Sequence, residues 1–232
     1  MGTLVSCEID GGVATLRMDD GKVNVLSPAM QADIHAALDS AESAGAVVVL
    51  TGRGHVFSGG FDLATLRGGG PAAGQMLRGG FELAERVLSF PRPVVMACNG
   101  HAIAMGLFLM ISGDYRLGAD GPFKLTANEV AIGMAMPQAA IDLCHALLSP
   151  THINRVLALA EVFPPVEAVA AGMLDRTVAP DALVAEAQGV AAELSQLDPR
   201  AHEISKRRAR AGVLGALRAS IEGELSGDIA LL

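Results

Sequence analysis

Apolar and polar residues alternate over the first eighteen positions. Leu4, Val5, Cys7 and Ile9 precede Gly11-Gly12, and Val13, Thr15, Leu16 and Met18 follow it. Period-two spacing on either side of a glycine pair predicts a β-hairpin. The period then changes. Ser27 stands before Pro28 as an N-cap with proline in the first helical position, and Met30, Ile34, Ala37 and Leu38 share one helical face that ends near Gly45. Val47-Val48-Val49-Leu50 is apolar throughout, as is the run over 93–97. Such runs mark strands buried on both faces. Between them lie a glycine-rich loop over 51–63, a short helix ended by Gly68-Gly69-Gly70, which is expected to open a mobile loop, and a helix over 76–90. Residues 105–112 read as a short helix with no polar face, which must be buried. Strands follow over 115–117 and 123–125, then helices over 137–148, 151–160 and 165–171 and a brief strand over 176–178. Helices over 181–197 and 199–225 close the chain.

Strands alternating with helices predict right-handed crossovers and a mostly parallel sheet, an α/β fold. No repeat and no shift in composition marks a second independent domain. Residues 1–180 are therefore read as the core and 181–232 as a C-terminal helical region used for oligomerisation. The most apolar window, 94–111, is broken at its centre by Asn99-Gly100-His101. A turn at that depth of a bilayer leaves backbone groups unpaired, so two buried elements joined by a turn are expected, and no membrane partner.

Composition narrows the function classes. The 232 residues are 51% hydrophobic, which excludes a disordered chain. A net charge of −8, with 3% aromatic residues and no Trp, argues against nucleic-acid binding. Cys7, Cys98 and Cys144 show no paired spacing, and the first residues carry no basic stretch leading into an apolar one. Free thiols in a reducing cytoplasm are expected.

The loop over 51–63 lacks the Gly-Lys-Ser/Thr of a nucleotide P-loop and the third glycine of a dinucleotide fingerprint. No nucleophile elbow surrounds Ser58. None of the six histidines forms a metal-ligand spacing, so no metal is expected. Lys206-Arg207-Arg208-Ala209-Arg210 reads as a solvated helix face, with a phosphate contact as the alternative. Glu129 stands out because Val130, Ala131, Ile132, Gly133, Met134, Ala135 and Met136 follow it. A lone carboxylate in such a stretch is either desolvated, with its pKa raised into the range of a general base, or hydrogen-bonded to nearby backbone.

Five segments in order resemble the crotonase superfamily, the enoyl-CoA hydratase/isomerase family. Phe57-Ser58-Gly59-Gly60-Phe61-Asp62-Leu63 is similar to its Phe-x-Ala-Gly-x-Asp-Leu, and Asn99-Gly100-His101-Ala102-Ile103-Ala104-Met105-Gly106 to its Asn-Gly-x-Ala-x-Gly-Gly-Gly. Gly113-Asp114-Tyr115-Arg116 resembles its Cys-Asp-hydrophobic-Arg. Glu129 with Gly133 and Pro137 resembles its Glu-x-x-x-Gly-x-x-Pro, and 168–175 resembles Ala-x-x-x-Gly-Leu-Val-Asp. The resemblance implies a spiral of β-β-α turns, a homotrimer or a hexamer of two trimers, and an acyl-CoA thioester as substrate. Coenzyme A would enter as part of that substrate, with no separate cofactor. It also implies an oxyanion hole from the amides of Phe61 and Met105. Contacts to the substrate and its CoA arm would come from Lys22, Val23, Val25, Gly59, Gly60, Asp62, Leu63, Gly106, Phe108 and Pro137.

Two residues depart from the family pattern. Met105 replaces the middle glycine of the triplet, and its side chain is expected to narrow the pocket and to strain any left-handed backbone there. Phe108 stands where hydratases of the family carry the first of two glutamates; Glu129 matches the second. Hydration calls on two carboxylates to grip water and deliver a proton. Moving a double bond from C3–C4 to C2–C3 needs one mobile base, and the family's Δ3,Δ2-enoyl-CoA isomerases of mitochondrial type resemble this chain in keeping one. The residues thus point to an isomerase of fatty-acid metabolism with Glu129 as the shuttle. The competing readings are a one-carboxylate hydratase and a catalytically silent acyl-CoA binding protein. Leu107, Phe108, Met134 and Met136 suggest an apolar acyl tail.

Overall fold

The computed structural model describes residues 3–225. The hairpin forms as expected: β1 (Val5–Asp10) pairs antiparallel with β2 (Val13–Met18), and Gly11 and Gly12 turn the chain at φ 54° and 80°. Ser27 caps α1 (Pro28–Ser43) by accepting a hydrogen bond from the Met30 amide.

Three similar turns follow. The first runs through β3 (Val47–Thr51), β4 (Val56–Ser58), α2 (Leu63–Gly68) and α3 (Gly70–Ser89). The second runs through β5 (Val94–Cys98), β6 (His101–Ile103) and α4 (Met105–Ile111). The third runs through β7 (Tyr115–Ala119), β8 (Leu125–Thr126), a single 3-10 turn at Val130–Ile132 and α5 (Gln138–Leu147). In each turn the first strand enters a large sheet and the second a small one. With β9 (Arg176–Val178) the large sheet is ordered β1-β2-β3-β5-β7-β9, and every pair after the hairpin is parallel; the small sheet is β4-β6-β8. This is the β-β-α spiral.

The apolar runs now have a reason. Val48, Leu50, Val94 and Met96 face the core beneath α1, α3 and α4, while Val47, Val49, Val95 and Ala97 face the other side. That second side is covered by Leu183, Ala187 and Ala191, one face of α8 (Leu183–Leu194), which lies after α6 (Ile153–Leu157) and α7 (Pro165–Ala170). Asn99 ties the sheets at their corner. Its Oδ1 accepts from the Gly52 amide and its Nδ2 donates to the Gly54 carbonyl, at 2.9 Å each.

Several expectations are corrected. The small sheet was not foreseen as a separate layer. Gly70 opens α3 instead of a mobile loop, because Pro71 takes the first turn and Ala73, Met76, Leu77 and Phe81 bury one face. The helix expected over 199–225 is two helices, α9 (Pro199–Ala209) and α10 (Ala211–Gly223), which break at Arg210. Residues 226–232 of the C-terminal region lie outside the described residues.

The basic run is a solvated face only in part: Arg207 and Arg208 are exposed, as expected, but the other two cations are not. Lys206 and Arg210 turn inward onto Asp114 at the start of β7, with Lys206 Nζ 2.6 Å from Oδ2 and Arg210 Nη1 3.1 Å from Oδ1. Only 4% of the Lys206 side chain is exposed, and burial pushes its pKa down to about 8. Asp114 also accepts the Val94 amide at 2.7 Å, so one carboxylate joins α9 to two central strands. Arg92, buried nearby, leaves Nε and Nη1 unpaired. Asp114→Asn would leave these cations without their counter-charge. The expected loss is ~3–5 kcal/mol in urea unfolding, and a loss within experimental error would refute the latch.

Candidate active site

The glycine-rich loop is held from below by the segment before α1. Asp20 accepts the amides of Lys22, Asn24 and Val25 at 2.7, 2.9 and 3.0 Å and so coils the segment tightly. Asn24 is fully buried at φ 51° and donates from Nδ2 to the carbonyls of Val56 and Phe57. The Gly59 amide donates to the Val23 carbonyl, and the Leu26 amide to the Gly60 carbonyl, both at 2.8 Å. Ser58 is part of this brace: its hydroxyl donates to the Asn24 carbonyl and accepts from the Gly60 amide. Lys22 and Val23 remain exposed and Val25 is half-buried.

Gly60 sets the central approach. It lies at φ 85°, and a Cβ there would come 2.8 Å from the Ile103 carbonyl and 3.4 Å from the Met105 amide nitrogen. Only a glycine brings the end of β4 so close to the start of α4. Gly106 repeats the demand one turn on, where a Cβ would meet the Ser58 carbonyl at 2.5 Å. The amides of Phe61 and Met105 are thus neighbours. Met105 is the first residue of α4 and has no intrahelical acceptor. Neither amide donates to another group among the described residues.

The expectations for Met105 are corrected on both counts. The left-handed backbone falls one residue earlier, at Ala104 with φ 51° and ψ −125°. The Met105 side chain is fully buried against α3 near Gly80 and does not line the cavity; Ala104 does.

Beside these amides is a cavity of about 60 Å³. Phe61 and Ala104 border it near the free amides, Glu129 and Asn128 supply its polar side chains, and Phe108 and Phe81 face it from α4 and α3. Glu129 is 8% exposed, and its Oε2 has no hydrogen-bond partner. Its carbonyl is used instead, accepting the amides of Ile132 and Met134 as Gly133 turns at φ 81°. Of the two readings open in the sequence, desolvation prevails: burial pushes the Glu129 pKa up to about 7. A carboxylate poised there can take up and return a proton near neutrality.

Phe108 faces the same cavity and stacks on Phe81 at 6.2 Å between ring centroids. Gly59, Leu63 and Pro137 also line the cavity, whereas Lys22, Val23, Val25, Gly60, Asp62 and Gly106 do not. Asp62 caps α2 by accepting the Thr65 amide at 2.7 Å, and that hydrogen bond holds its pKa down. Of the residues expected to meet an acyl tail, Phe108 and Met134 line the cavity, while Leu107 and Met136 do not. Leu77 and Phe81 went unrecognised in the sequence, where they are part of a helical core stripe. Asn128 carries no signal in the sequence beyond its place beside Glu129. Among the described residues no cluster of His, Cys, Asp and Glu could hold a metal, and no helix is long and apolar enough to cross a membrane.

Residues 8–226 match the enoyl-CoA hydratase/isomerase family model. Two solved structures of one Mycobacterium tuberculosis protein are similar. One, described as a probable enoyl-CoA hydratase, is 47% identical with a TM-score of 0.93, over 95% of this chain and 94% of that one. The other, described as an enoyl-CoA isomerase, is 46% identical with a TM-score of 0.92, over 96% and 98%. The human mitochondrial Δ3,Δ2-enoyl-CoA isomerase is 27% identical with a TM-score of 0.89, over 96% and 91%.

Two stability measurements check this geometry. Between pH 4.5 and about 7 the folded chain keeps a proton on Glu129 that the unfolded chain has released, so its contribution to stability falls as pH rises through that window. Glu129→Gln is therefore expected to be more stable than the parent by ~2–3 kcal/mol at about pH 8, with the difference vanishing below the unfolded pKa. Urea unfolding at both ends of the window reads it, and equal stabilities throughout would contradict the buried charge. Ala104→Gly should relieve ~1–3 kcal/mol of backbone strain at a cost of ~0.5–1 kcal/mol in unfolded-state entropy. A higher melting temperature is expected, and a lower one would show that Ala104 is not strained.

Proposed function

The chain belongs to the enoyl-CoA hydratase/isomerase family, and within it we propose that it is a one-carboxylate isomerase of fatty-acid metabolism, converting 3-enoyl-CoA to 2-enoyl-CoA. The observation that carries this reading is the pair of side chains facing the cavity: Glu129, buried with a free oxygen, and Phe108, an inert ring where a second carboxylate would stand.

The amides of Phe61 and Met105 form the oxyanion hole. They hold the thioester oxygen, and the positive end of α4 points the same way. Ionised Glu129 removes a proton from C2. The electron pair of the C2–H bond forms a C1–C2 double bond as the carbonyl pair moves onto the thioester oxygen, giving a dienolate conjugated with the intact C3–C4 double bond. Two fixed donors in a water-poor site stabilise that charge as it forms, an effect worth about 3 kcal/mol per donor in acyl-transfer enzymes. Protonated Glu129 returns the proton to C4, the double bond settles at C2–C3, and the carboxylate is ready again. A single proton moves, no water is consumed and no cofactor is called on. The exposed segment around Lys22, Val23 and Val25, with Asp62 at the start of α2, frames the path of the CoA arm, while Gly59, Leu63 and Pro137 line the acyl cavity and Gly60 and Gly106 set the backbone approach that shapes it.

Hydration is the second reading, favoured by one observation: Asn128 borders the cavity beside Glu129, and a side-chain amide there is a group to which a water can hydrogen-bond. A silent binding protein fits less well, since an unpaired buried carboxylate costs stability and adds nothing to passive binding. Exposed Leu159, Val162 and Val166, with the C-terminal helices, suit a homotrimer or hexamer, and three free cysteines suit the cytoplasm.

Glu129→Gln should lower kcat on 3-enoyl-CoA by ~10²–10⁴-fold. With the parent protein, kcat/KM should climb from the acid side with an apparent pKa of about 7 and level off above it, because the base must be ionised. Turnover that survives in Glu129→Gln, or a profile flat from pH 5 to 9, would refute the role of Glu129.

A further inference from the structure

We propose that the stacked rings of Phe81 and Phe108 are the floor of the acyl site and restrict this chain to short acyl groups, with tails reaching only a few carbons past the reacting double bond. The inference rests on the acyl-CoA reading above and adds the class of acyl chain.

Exposure along the cavity wall gives the site a direction. Leu63 and Ile132 are 46% and 48% exposed and mark the mouth, whereas Leu77, Phe81 and Phe108 are 3%, 1% and 1% exposed and mark the bottom. The cavity encloses about 60 Å³. Sites that swallow drug-sized ligands measure ~300–1,000 Å³.

The floor cannot easily retreat. Phe108 lies on a helix whose seven residues are all buried, and Phe81 stacks on it at 6.2 Å. α3 is pinned from two sides. Gln31 donates from Nε2 to the carbonyls of Met76 and Leu26 at 2.9 Å each, and a Cβ on Gly80 would overlap the Phe61 ring. Both rings belong to the continuous core, where packing leaves no room for displaced atoms.

One wall is softer. α2 carries Leu63 and Leu66 into the lining but has no buried residue, and it is joined to α3 by Gly69 at φ 63°. A tail too long for the floor must push this helix outward and leave its surplus methylenes against solvent. Long chains therefore gain little from the apolar burial that ordinarily strengthens binding with each carbon.

Calorimetric binding of two saturated, non-reacting thioesters, hexanoyl-CoA and decanoyl-CoA, tests the floor without requiring turnover. The parent protein should bind decanoyl-CoA no more tightly than hexanoyl-CoA. Phe81→Ala should shift the affinity ratio at least tenfold toward decanoyl-CoA, and Phe81→Leu, a smaller cut that spares more of the core, should shift it in the same direction. Preference for decanoyl-CoA by tenfold or more in the parent, or a ratio unmoved in both variants, would overturn the proposal. Kinetics on 3-hexenoyl-CoA and 3-decenoyl-CoA run beside the calorimetry. Failure to isomerise either substrate would defeat the isomerase reading alone, whereas the binding ratio judges the floor.

Discussion

The close approach of β4 to the start of α4 is the constraint on which the site depends. Gly60, at φ 85°, leaves no space for a Cβ between itself and the Ile103 carbonyl. That contact sets two amides from different turns of the spiral side by side, at residues 61 and 105. It is supported from beneath by the Asp20 coil and by buried Asn24, from the side by the Asn99 corner, and from behind by Gly106 against Ser58. Ala104 takes up the remaining misfit as a strained backbone. Strain of this kind persists only where the surroundings over-determine the conformation. Here the end of β6, β8 through the Ala104 amide on the Thr126 carbonyl, and the start of α4 all meet at that residue.

Glu129 adds the second element. Its desolvation follows from what faces it: the apolar cavity, with Phe108 in place of a partner carboxylate. The ring adds to the burial that holds the Glu129 pKa near neutrality. The cost is an unpaired carboxyl oxygen in the folded state. A fold with two packed faces on its main sheet and a charged latch at Asp114 has the stability to carry it.

The long elements were legible because they bury regular patterns. The all-apolar strands, the capped α1 and the parallel crossovers follow from periodicity and capping alone. The roles of Phe61, Met105, Glu129 and Phe108 came from the family resemblance, and the structure gathers these residues around one cavity or beside it. What stayed hidden was non-local. Strands of two or three residues, such as β4, β6 and β8, are too short to show a period. The inward turn of Lys206 depends on a carboxylate 92 positions away. The strain at Ala104 depends on where Gly60 sits, and Phe81 looks like any core residue of an amphipathic helix until the cavity shows its other side.

The central claim is that one carboxylate and a ring, in place of two carboxylates, make this an isomerase. The direct test incubates the purified protein side by side with a short 3-enoyl-CoA and the matching 2-enoyl-CoA, reading absorbance of the conjugated thioester and the mass of each product. The account predicts conversion of the 3-enoyl substrate to a conjugated product of unchanged mass, with negligible gain of water by the 2-enoyl substrate. Rapid addition of one water to the 2-enoyl substrate, at a rate matching or exceeding isomerisation, would contradict it.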